Sequence, residues 1–598
     1  MLVRVVMVTP SADDTKCALT GSSADRIIRE ACDYSFRALG PKSVPVNSPF
    51  RSALAALQTK APVKRVWHYL PYDQLSAHFL TVPPSQAGVV LIESAAKAAR
   101  RPYHKQKLAY VLANQRHFAL ELAQLGVAVR YLQVDVGYAE ALSNVIAELG
   151  TLQLATPAER ELRSELLGLI EQGALSLRAH PGWLTTEADW EAAFARRAAW
   201  KMDTFYRHAR EKTGLLMQKG KRGLEPEGGR FSFDVENRKP WSGDPPAPHA
   251  PRFEPDAITR EVGALIESKF AAHPGRLDLT TLPATHADAE RLWAFAMREC
   301  LPLFGPFEDA MSLKSRGLFH TRISPLLNLH RLWPARIVND VATMEAPIES
   351  REGFVRQVLG WREFVRHVHL RTDGFRDLAP VATHAGDGGW AHAMGHAWPG
   401  SVHAEGGAMP SLLGAHQEVP PALWGKTSGL ACLDEVVASV WEEGTSHHIT
   451  RLMVIGNVMT LLGVSPRALA DWFWVAYIDA YDWVVEPNVL AMATYGDARM
   501  TTKPYVSGAP YLNTMSDYCG ACSFDPKTNC PITRLYWAFI DDHQERLQSN
   551  PRTSRPVASL RKRAPEKRAE DHAIRARVRL QLAKGERVDV AVRDLFER

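Results

Sequence analysis

The 598-residue chain reads as two halves of different architecture, an α/β domain built on a parallel sheet followed by an all-α domain. Two observations predict this. Over roughly 65–195, short apolar runs alternate with stretches of helical period, the pattern of strands joined by helical crossovers. From about residue 255 onward, apolar residues recur almost everywhere at three- and four-residue spacing. A third observation concerns chemistry: four cysteines of the helical half, Cys432, Cys519, Cys522 and Cys530, have the types and spacing to close one metal shell.

Each element follows in order. Residues 1–64 mix small polar with isolated apolar residues, include Gly40-Pro41 and Val44-Pro45, and turn acidic too early (Asp13, Asp14) for a leader. A weakly structured extension is expected there. The runs 66–70 and 88–92 are short, apolar and bounded by turn residues, so they read as buried strands. A long helix is expected over 105–125, closed by Gly126, then a strand over 127–132. Weaker strands fall at 152–154 and 175–177, with a helix over 157–172 between them. No Gly-x-Gly-x-x-Gly follows the first strand, so a standard dinucleotide site is not expected there.

Residues 196–262 read as an interdomain linker. It carries Arg230-Phe231-Ser232-Phe233-Asp234, basic and aromatic residues of the kind that grip phosphates and stack bases, or simply a spacer. Residues 263–550 form the helical domain, and 551–598 a basic tail that either contacts polyanions or is a solvated, partly helical face.

Composition excludes several classes. Hydrophobic content of 46% with 23% charged residues is that of a globular protein, and no apolar run nears the roughly 20 residues a membrane span needs. Seven cysteines in the whole chain are too sparse for a disulfide framework. The Cys519-x-x-Cys522 pair, Cys530 followed by Pro531, and Cys432 upstream suit an iron–sulfur cluster or a four-cysteine zinc site.

The helical half also carries an ordered set of motifs. Glu352 to Phe364 ends in Trp361-Arg362-Glu363-Phe364; before it comes His320-Thr321-Arg322-Ile323-Ser324-Pro325. After it follow Ser446-His447-His448-Ile449-Thr450-Arg451, Asp479-Ala480-Tyr481-Asp482-Trp483, Pro487-Asn488, Thr502-Lys503-Pro504-Tyr505 and Ser516-Asp517-Tyr518-Cys519. In this order they resemble the iron–sulfur branch of bacterial photolyases and cryptochromes, over about residues 66–550.

That resemblance implies a Rossmann-like antenna domain, a helical domain holding FAD, and a [4Fe-4S] cluster on Cys432, Cys519, Cys522 and Cys530. The interval from Cys522 to Cys530 is shorter than the family's. It implies FAD contacts from His320, Thr321, Ser324, Asn328, Gln357, Arg362, Arg451, Asp479, Glu486 and Asn488, with the acid Glu486 displaced by one residue from the family pattern. Adjacent histidines at 447 and 448 mark the family's (6-4) photoproduct repair enzymes, where a proton must accompany the electron. His448 is expected to donate it and His447 to support. Adjacent positions on a helix would set the two about 100° apart.

Trp472 and Trp424 match an electron relay, with Phe473 where a tyrosine is expected. Trp361, Lys503, Tyr505 and Tyr511 are expected to meet the damaged DNA. An antenna of the 6,7-dimethyl-8-ribityllumazine type would use Asp73 and Glu93, although Lys97 stands where an acid is expected. The implied protein is a cytoplasmic monomer, not a membrane protein, whose partner is UV-damaged DNA. The first expectation is (6-4) photoproduct repair. A signalling photoreceptor on the same scaffold is the second, and an iron–sulfur nucleic-acid-binding protein, such as a primase-like module, the third.

Overall fold

The computed structural model describes residues 48–58, 64–195, 199–221, 223–377, 383–384 and 407–589. The N-terminal domain is a five-stranded, all-parallel sheet. Its strands are β1 (Val66–Tyr69), β2 (Ala87–Ser94), β3 (Ala128–Val134), β4 (Leu152–Ala155) and β5 (Leu175–Arg178). Their spatial order is β3-β2-β1-β4-β5. The right-handed crossover rule favours this outcome for strands joined by helices. Registers pair Val66 with Ala87, Gly88 with Ala128, His68 with Gln153 and Leu152 with Leu175. All eight residues of β2 are buried, as expected of a strand covered on both faces. Gly88 is required there, since a Cβ would lie 2.5 Å from the Trp67 ring.

Helix Lys105–Gln124 joins the two domains. Sixteen of its twenty residues are buried, polar ones included, so it has no solvent face. Those polar groups are met from both sides. Gln115 donates to the carbonyl of Ile92 (3.0 Å) and Arg116 grips Glu93 (2.8 and 3.0 Å) on the sheet side. On the helical side, Arg331 reaches Asn114 (3.1 Å), and the Lys107 ammonium donates to the carbonyls of Trp474 (2.7 Å) and Ala480 (2.5 Å). Burial pushes the Lys107 amine well below its ordinary value.

Three boundaries differ from the sequence reading. Pro49–Leu57 is a helix, not weakly structured chain: it buries Phe50 and Leu54 against helices Lys105–Gln124 and Ala257–Lys269. The rest of the expected extension, 1–47 and 59–63, lies outside the described residues. The 196–262 segment holds helix Met202–Thr213, anchored by buried Phe205 and Tyr206, and a hairpin pairing Met217–Gly220 with Gly223–Pro226.

The basic tail is also folded. Helices Ser554–Arg561 and Pro565–Ala583 pack on Pro531–Asp542 through buried Val557, Ile574, Val578 and Leu582. Their cations are paired internally: Arg563 and Arg534 with buried Asp571 (2.6 and 3.2 Å), Arg568 and His572 with Asp541 (3.0 Å each). The periodicity of 574, 578 and 582 carries this packing, and the arginine count masked it.

In the helical domain, Ala257–Lys269 begins a succession of helices in which four turns are widened to the π form: Ala296–Cys300, Arg356–Arg362, Arg451–Gly456 and Glu486–Ala493. Such turns are rare and concentrate at functional sites. Three of them contain expected site residues. Replacing Lys107 by Met strands two buried carbonyls, each worth about 1–3 kcal/mol. Lys107→Met should therefore lose about 2–4 kcal/mol in denaturant unfolding, with far-UV dichroism unchanged in buffer.

Candidate active site

The Arg451–Asp479 ion pair is the centre of the site. The guanidinium meets the carboxylate through two parallel bonds of 3.0 Å, a geometry that adds direction to charge. Arg451 is further fixed by the Ser446 carbonyl (2.8 Å) and lies 4.1 Å over the Tyr477 ring. Ser324 donates to Asp479 (2.6 Å), and Asn328 donates to the Asp479 carbonyl (2.9 Å). Burial opposes ionisation of Asp479, but Arg451 and the Ser324 hydroxyl outweigh it and hold the carboxyl below its usual range. Arg451, Asp479, Ser324 and Asn328 thus converge, as expected.

A cavity of about 1040 Å³ opens beside them, lined by Tyr110, Trp241, Phe253, Arg276, Lys314, Arg316, Arg322 and Ile478 among others. Its size is at the upper end for a small-molecule site. Arg322 lies in the turn that precedes Ser324 and adopts φ +57°, a left-handed conformation costly for a residue with a side chain. Thr321 is buried next to it. The cationic wall, the bidentate pair and the cavity volume fit an anionic dinucleotide.

Other expected contacts of that cofactor go elsewhere. Glu486 is fully committed to Arg467 (2.7 Å) and His369 (2.9 Å); burial opposes its charge, but Arg467 and His369 hold it well below the usual range. The expectation that it faces the flavin gives way to a buried structural ion pair. Asn488 bonds back to the Val484 carbonyl (2.8 Å), closing its own helical turn. Gln357 donates to Glu308 (2.5 Å). Arg362 is sandwiched near Trp183 (4.2 Å) and Trp483 (5.4 Å), and burial pushes its guanidinium down to about 10. These side chains diverge because a π turn rotates successive residues onto different faces.

Three histidines adjoin the pair. His447 is in extended backbone (φ −75°, ψ 166°) as the N-cap of the short turn His448–Thr450, so the expected helical 100° relation does not apply. Its ring stacks on His320 (4.3 Å, 13°), while His448 stands edge-on to both, at 5.5 Å from His320 and 6.4 Å from His447. Burial first, then neighbouring positive groups, keeps His320 and His447 well below the ordinary imidazole value. His320 therefore belongs with the histidine pair. His448 is 40% exposed and its Nε2 lies 3.7 Å from Asp309.

From there the contacts reach the surface. Asp309 is 3.9 Å from Arg238, and Arg238 acts electrostatically on Lys503, Tyr505 and Tyr511. Arg552 adds a second cation near Lys503 and Tyr505. Arg238 and Arg552 were not anticipated individually; the basic content of the crossing segment and of the tail was the available signal. Trp361 packs edge-on to Phe364 (6.1 Å).

Trp472 and Trp424 are joined by a residue that sequence reasoning missed. Trp441 stacks on Trp424 (5.1 Å, 20°) and meets Trp472 edge-on (6.1 Å). The Trp441 and Trp472 indoles donate to one acceptor, the Leu423 carbonyl (2.8 and 3.0 Å). Beyond Trp472, Phe473 stacks on Tyr477 (5.1 Å, 9°), which lies under Arg451. A tyrosine thus occupies the inner end of the chain one turn after the expected position. No helical spacing relates 424, 441 and 472, so only folding reveals the series.

Cys432, Cys519, Cys522 and Cys530 line one small chamber with Leu430, Tyr518 and Phe524, and all four are free thiols. Burial, then mutual repulsion, pushes Cys530 up to about 12 and Cys432 well above its ordinary value. Four thiolates together need a cationic centre to be stable, so the donor set fits a metal or iron–sulfur centre.

Asp73 and Glu93 are at the C-terminal side of the sheet. Glu93 is claimed by Arg116 and by the Tyr131 hydroxyl (2.9 Å). It does border a chamber with Tyr72, Lys97, Lys107, Trp474 and Tyr481, but this holds only about 70 Å³, far below the roughly 300 Å³ of a small ligand site. The place expected for the antenna is nearly filled by its own side chains.

Comparison with known proteins agrees with the fold and with this array of groups. Residues 69–281 match the family described as deoxyribodipyrimidine photo-lyase-related protein. Over 527 residues, 84% of this chain and 96% of the relative, the sequence is 32% identical to the (6-4) photolyase of Agrobacterium fabrum. The chain belongs to the photolyase–cryptochrome family, in its deoxyribodipyrimidine photo-lyase-related branch.

A stretch of 97 residues is also 31% identical to an uncharacterized protein of Acanthamoeba polyphaga mimivirus, 16% of this chain and 76% of that one. Among solved structures, a bacterial class III photolyase from Agrobacterium tumefaciens aligns with TM-score 0.48 at 13% identity, over 90% of this chain and 99% of that one. A Synechocystis cryptochrome aligns with TM-score 0.49 at 14% identity, over 84% and 100%. The family is one of FAD-binding, DNA-directed flavoproteins, which sets aside the primase-like reading. No described helix is long and apolar enough to cross a membrane.

Asp73 offers a test of the domain contact. Burial pushes its carboxyl up to about 7, with Asp482 adding to the rise. In the unfolded chain it ionises near pH 4, so its cost to stability is absent below that, grows between pH 4 and 7 and is complete above 7. Asp73→Asn should therefore stabilise the protein more at pH 8 than at pH 5, by up to about 2–3 kcal/mol. Denaturant unfolding at the two pH values measures it.

Proposed function

We propose that this protein is a light-driven DNA repair enzyme that reverses (6-4) pyrimidine–pyrimidone photoproducts. One observation carries the reading: an unbroken series of contacts from Asp479 and Arg451, through Ser446 and His447, to His448, Asp309, Arg238 and the Tyr505–Tyr511 surface. It connects a cofactor-type pocket to a basic, aromatic face with an accessible imidazole in between.

Bound and reduced FAD supplies a photoexcitable electron donor. Arg276, Lys314, Arg316 and Arg322 would hold its phosphates in the large cavity, and Arg451 with Asp479 would orient its ring system. The damaged nucleotides leave the base stack to reach such a site. Arg238, Arg552 and Lys503 neutralise phosphates, while Tyr505 and Tyr511 offer ring surfaces to the displaced bases. His448 holds the proton that must move with the lesion's OH or NH group. Asp309 orients the imidazole, and buried His447, kept neutral, supports it from behind.

Trp424, Trp441, Trp472 and Tyr477 form an aromatic path by which an electron enters from the periphery. Cys432, Cys519, Cys522 and Cys530 would hold a [4Fe-4S] cluster as a structural or redox centre. The tryptophan series serves a photoreceptor equally well, so repair is tested directly.

Anaerobically purified, reduced protein is illuminated with an oligonucleotide bearing one (6-4) photoproduct. Restoration of the bases is expected, and His448→Ala should reduce its rate by about 10²–10⁴-fold, the usual worth of a positioned acid. An intact, photoreducible flavin spectrum without any restoration would reject repair and favour the photoreceptor. Arg238→Ala should weaken DNA binding uniformly and lower the salt slope by about one phosphate contact. Trp441→Phe should slow photoreduction of the oxidised protein and abolish the transient indole radical on the outer path, with ground-state flavin absorption unchanged.

A further inference from the structure

We propose that His320, His447 and His448, with Asp309 beside them, form a binding site for a divalent transition-metal ion of the zinc or copper type, and that the ion withdraws His448 from proton transfer. The second clause rests on the repair reading; the first does not.

The three histidines each present one ring nitrogen, and these atoms all lie within 4.8 Å of one another. Nε2 of His320 and Nδ1 of His447 are buried and have no hydrogen-bond partner among the described residues. Two unpartnered imidazole nitrogens side by side are costly, and a metal ion satisfies both. Imidazole is the ligand type that zinc, copper and nickel prefer, and three histidines plus one open or carboxylate position is a common shell. Asp309, at 3.7 Å from His448 Nε2, is placed to fill the fourth position or to orient the third ligand.

The backbone around these side chains is fixed. The N–H groups of Arg451 and His320 donate to the carbonyls of His447 (3.3 Å) and Gly317 (2.9 Å), and Thr450 Oγ1 also donates to the His447 carbonyl (2.8 Å). Metal–nitrogen bonds of about 2.0–2.1 Å require the donors to draw closer, which rotation of half-exposed His448 supplies. Arg322 and Arg451 are the opposing charges, and each is already paired, with Glu443 (3.3 Å) and Asp479 (3.0 Å). This all-nitrogen set is chemically distinct from the four-cysteine chamber. Because the ion occupies a ring nitrogen of His448, it competes with the proton that nitrogen would carry.

The test uses the full-length protein with its flavin and its cysteine-bound centre loaded, titrated with Cu²⁺ and followed by electron paramagnetic resonance. One bound equivalent with superhyperfine splitting from at least two imidazole nitrogens is expected. His320→Ala and His448→Gln should each weaken binding at least tenfold and remove a nitrogen from the splitting pattern. Zn²⁺ should displace Cu²⁺ competitively and slow repair, reversibly on chelation. A signal unchanged in both variants, or no stoichiometric binding, overturns the site. Binding that leaves the repair rate untouched overturns the competition with His448. If the metal binds as expected but no repair occurs even without it, the repair reading fails and the metal site stands.

Discussion

The buried face-to-face fit of helix Lys105–Gln124 is the constraint on which the rest of the molecule depends. A helix with no solvent face must find a partner for every polar side chain it carries. Here those partners come from both domains. Lys107 is the tightest case: its amine holds the carbonyls of Trp474 and Ala480, the second of which directly follows Asp479. The position of the Arg451–Asp479 pair is therefore tied to a helix belonging to the other domain. The same helix fixes Glu93 through Arg116 and aligns Arg331 through Asn114.

Around that frame the functional groups are sorted by burial. Asp479 remains charged at depth because a bidentate arginine and a serine hydroxyl offset its desolvation. Glu486 is charged at depth for the same reason, but its partners Arg467 and His369 leave it nothing to offer a ligand. His447 and His448, adjacent in sequence, have opposite situations: one buried and neutral, the other half-exposed beside a carboxylate. A sequence motif names both, and only their surroundings separate support from chemistry.

The π-helical turns explain why the expected cofactor residues scatter. Arg356–Arg362, Arg451–Gly456 and Glu486–Ala493 each insert a residue into a helix, which shifts the facing of everything that follows. Ordinary helical periodicity therefore gives the wrong face for Gln357, Arg362 and Asn488. In the tail, periodicity was the better guide than composition. Ile574, Val578 and Leu582 recur every four residues and are buried, whereas the arginines that suggested a polyanion surface are largely consumed by Asp541, Asp542 and Asp571.

By itself the sequence determined the parts that depend on local spacing: five strands and their crossover helices, the start of the helical half, the Cys519–Cys522 pair with Cys530, and the adjacency of His447 and His448. Ordered motifs extended this to Arg451, Asp479 and Ser324, which do converge. Only tertiary structure decided that Trp441 bridges Trp424 and Trp472, that His320 joins the histidine pair, that Arg238 stands beside Asp309, and that Glu486 is spent internally. Several of these links join residues far apart in the chain, as His320 and His447 are. Chain spacing carries no record of such contacts, because they are set by the closure of a packed core and not by the repeat of any single element.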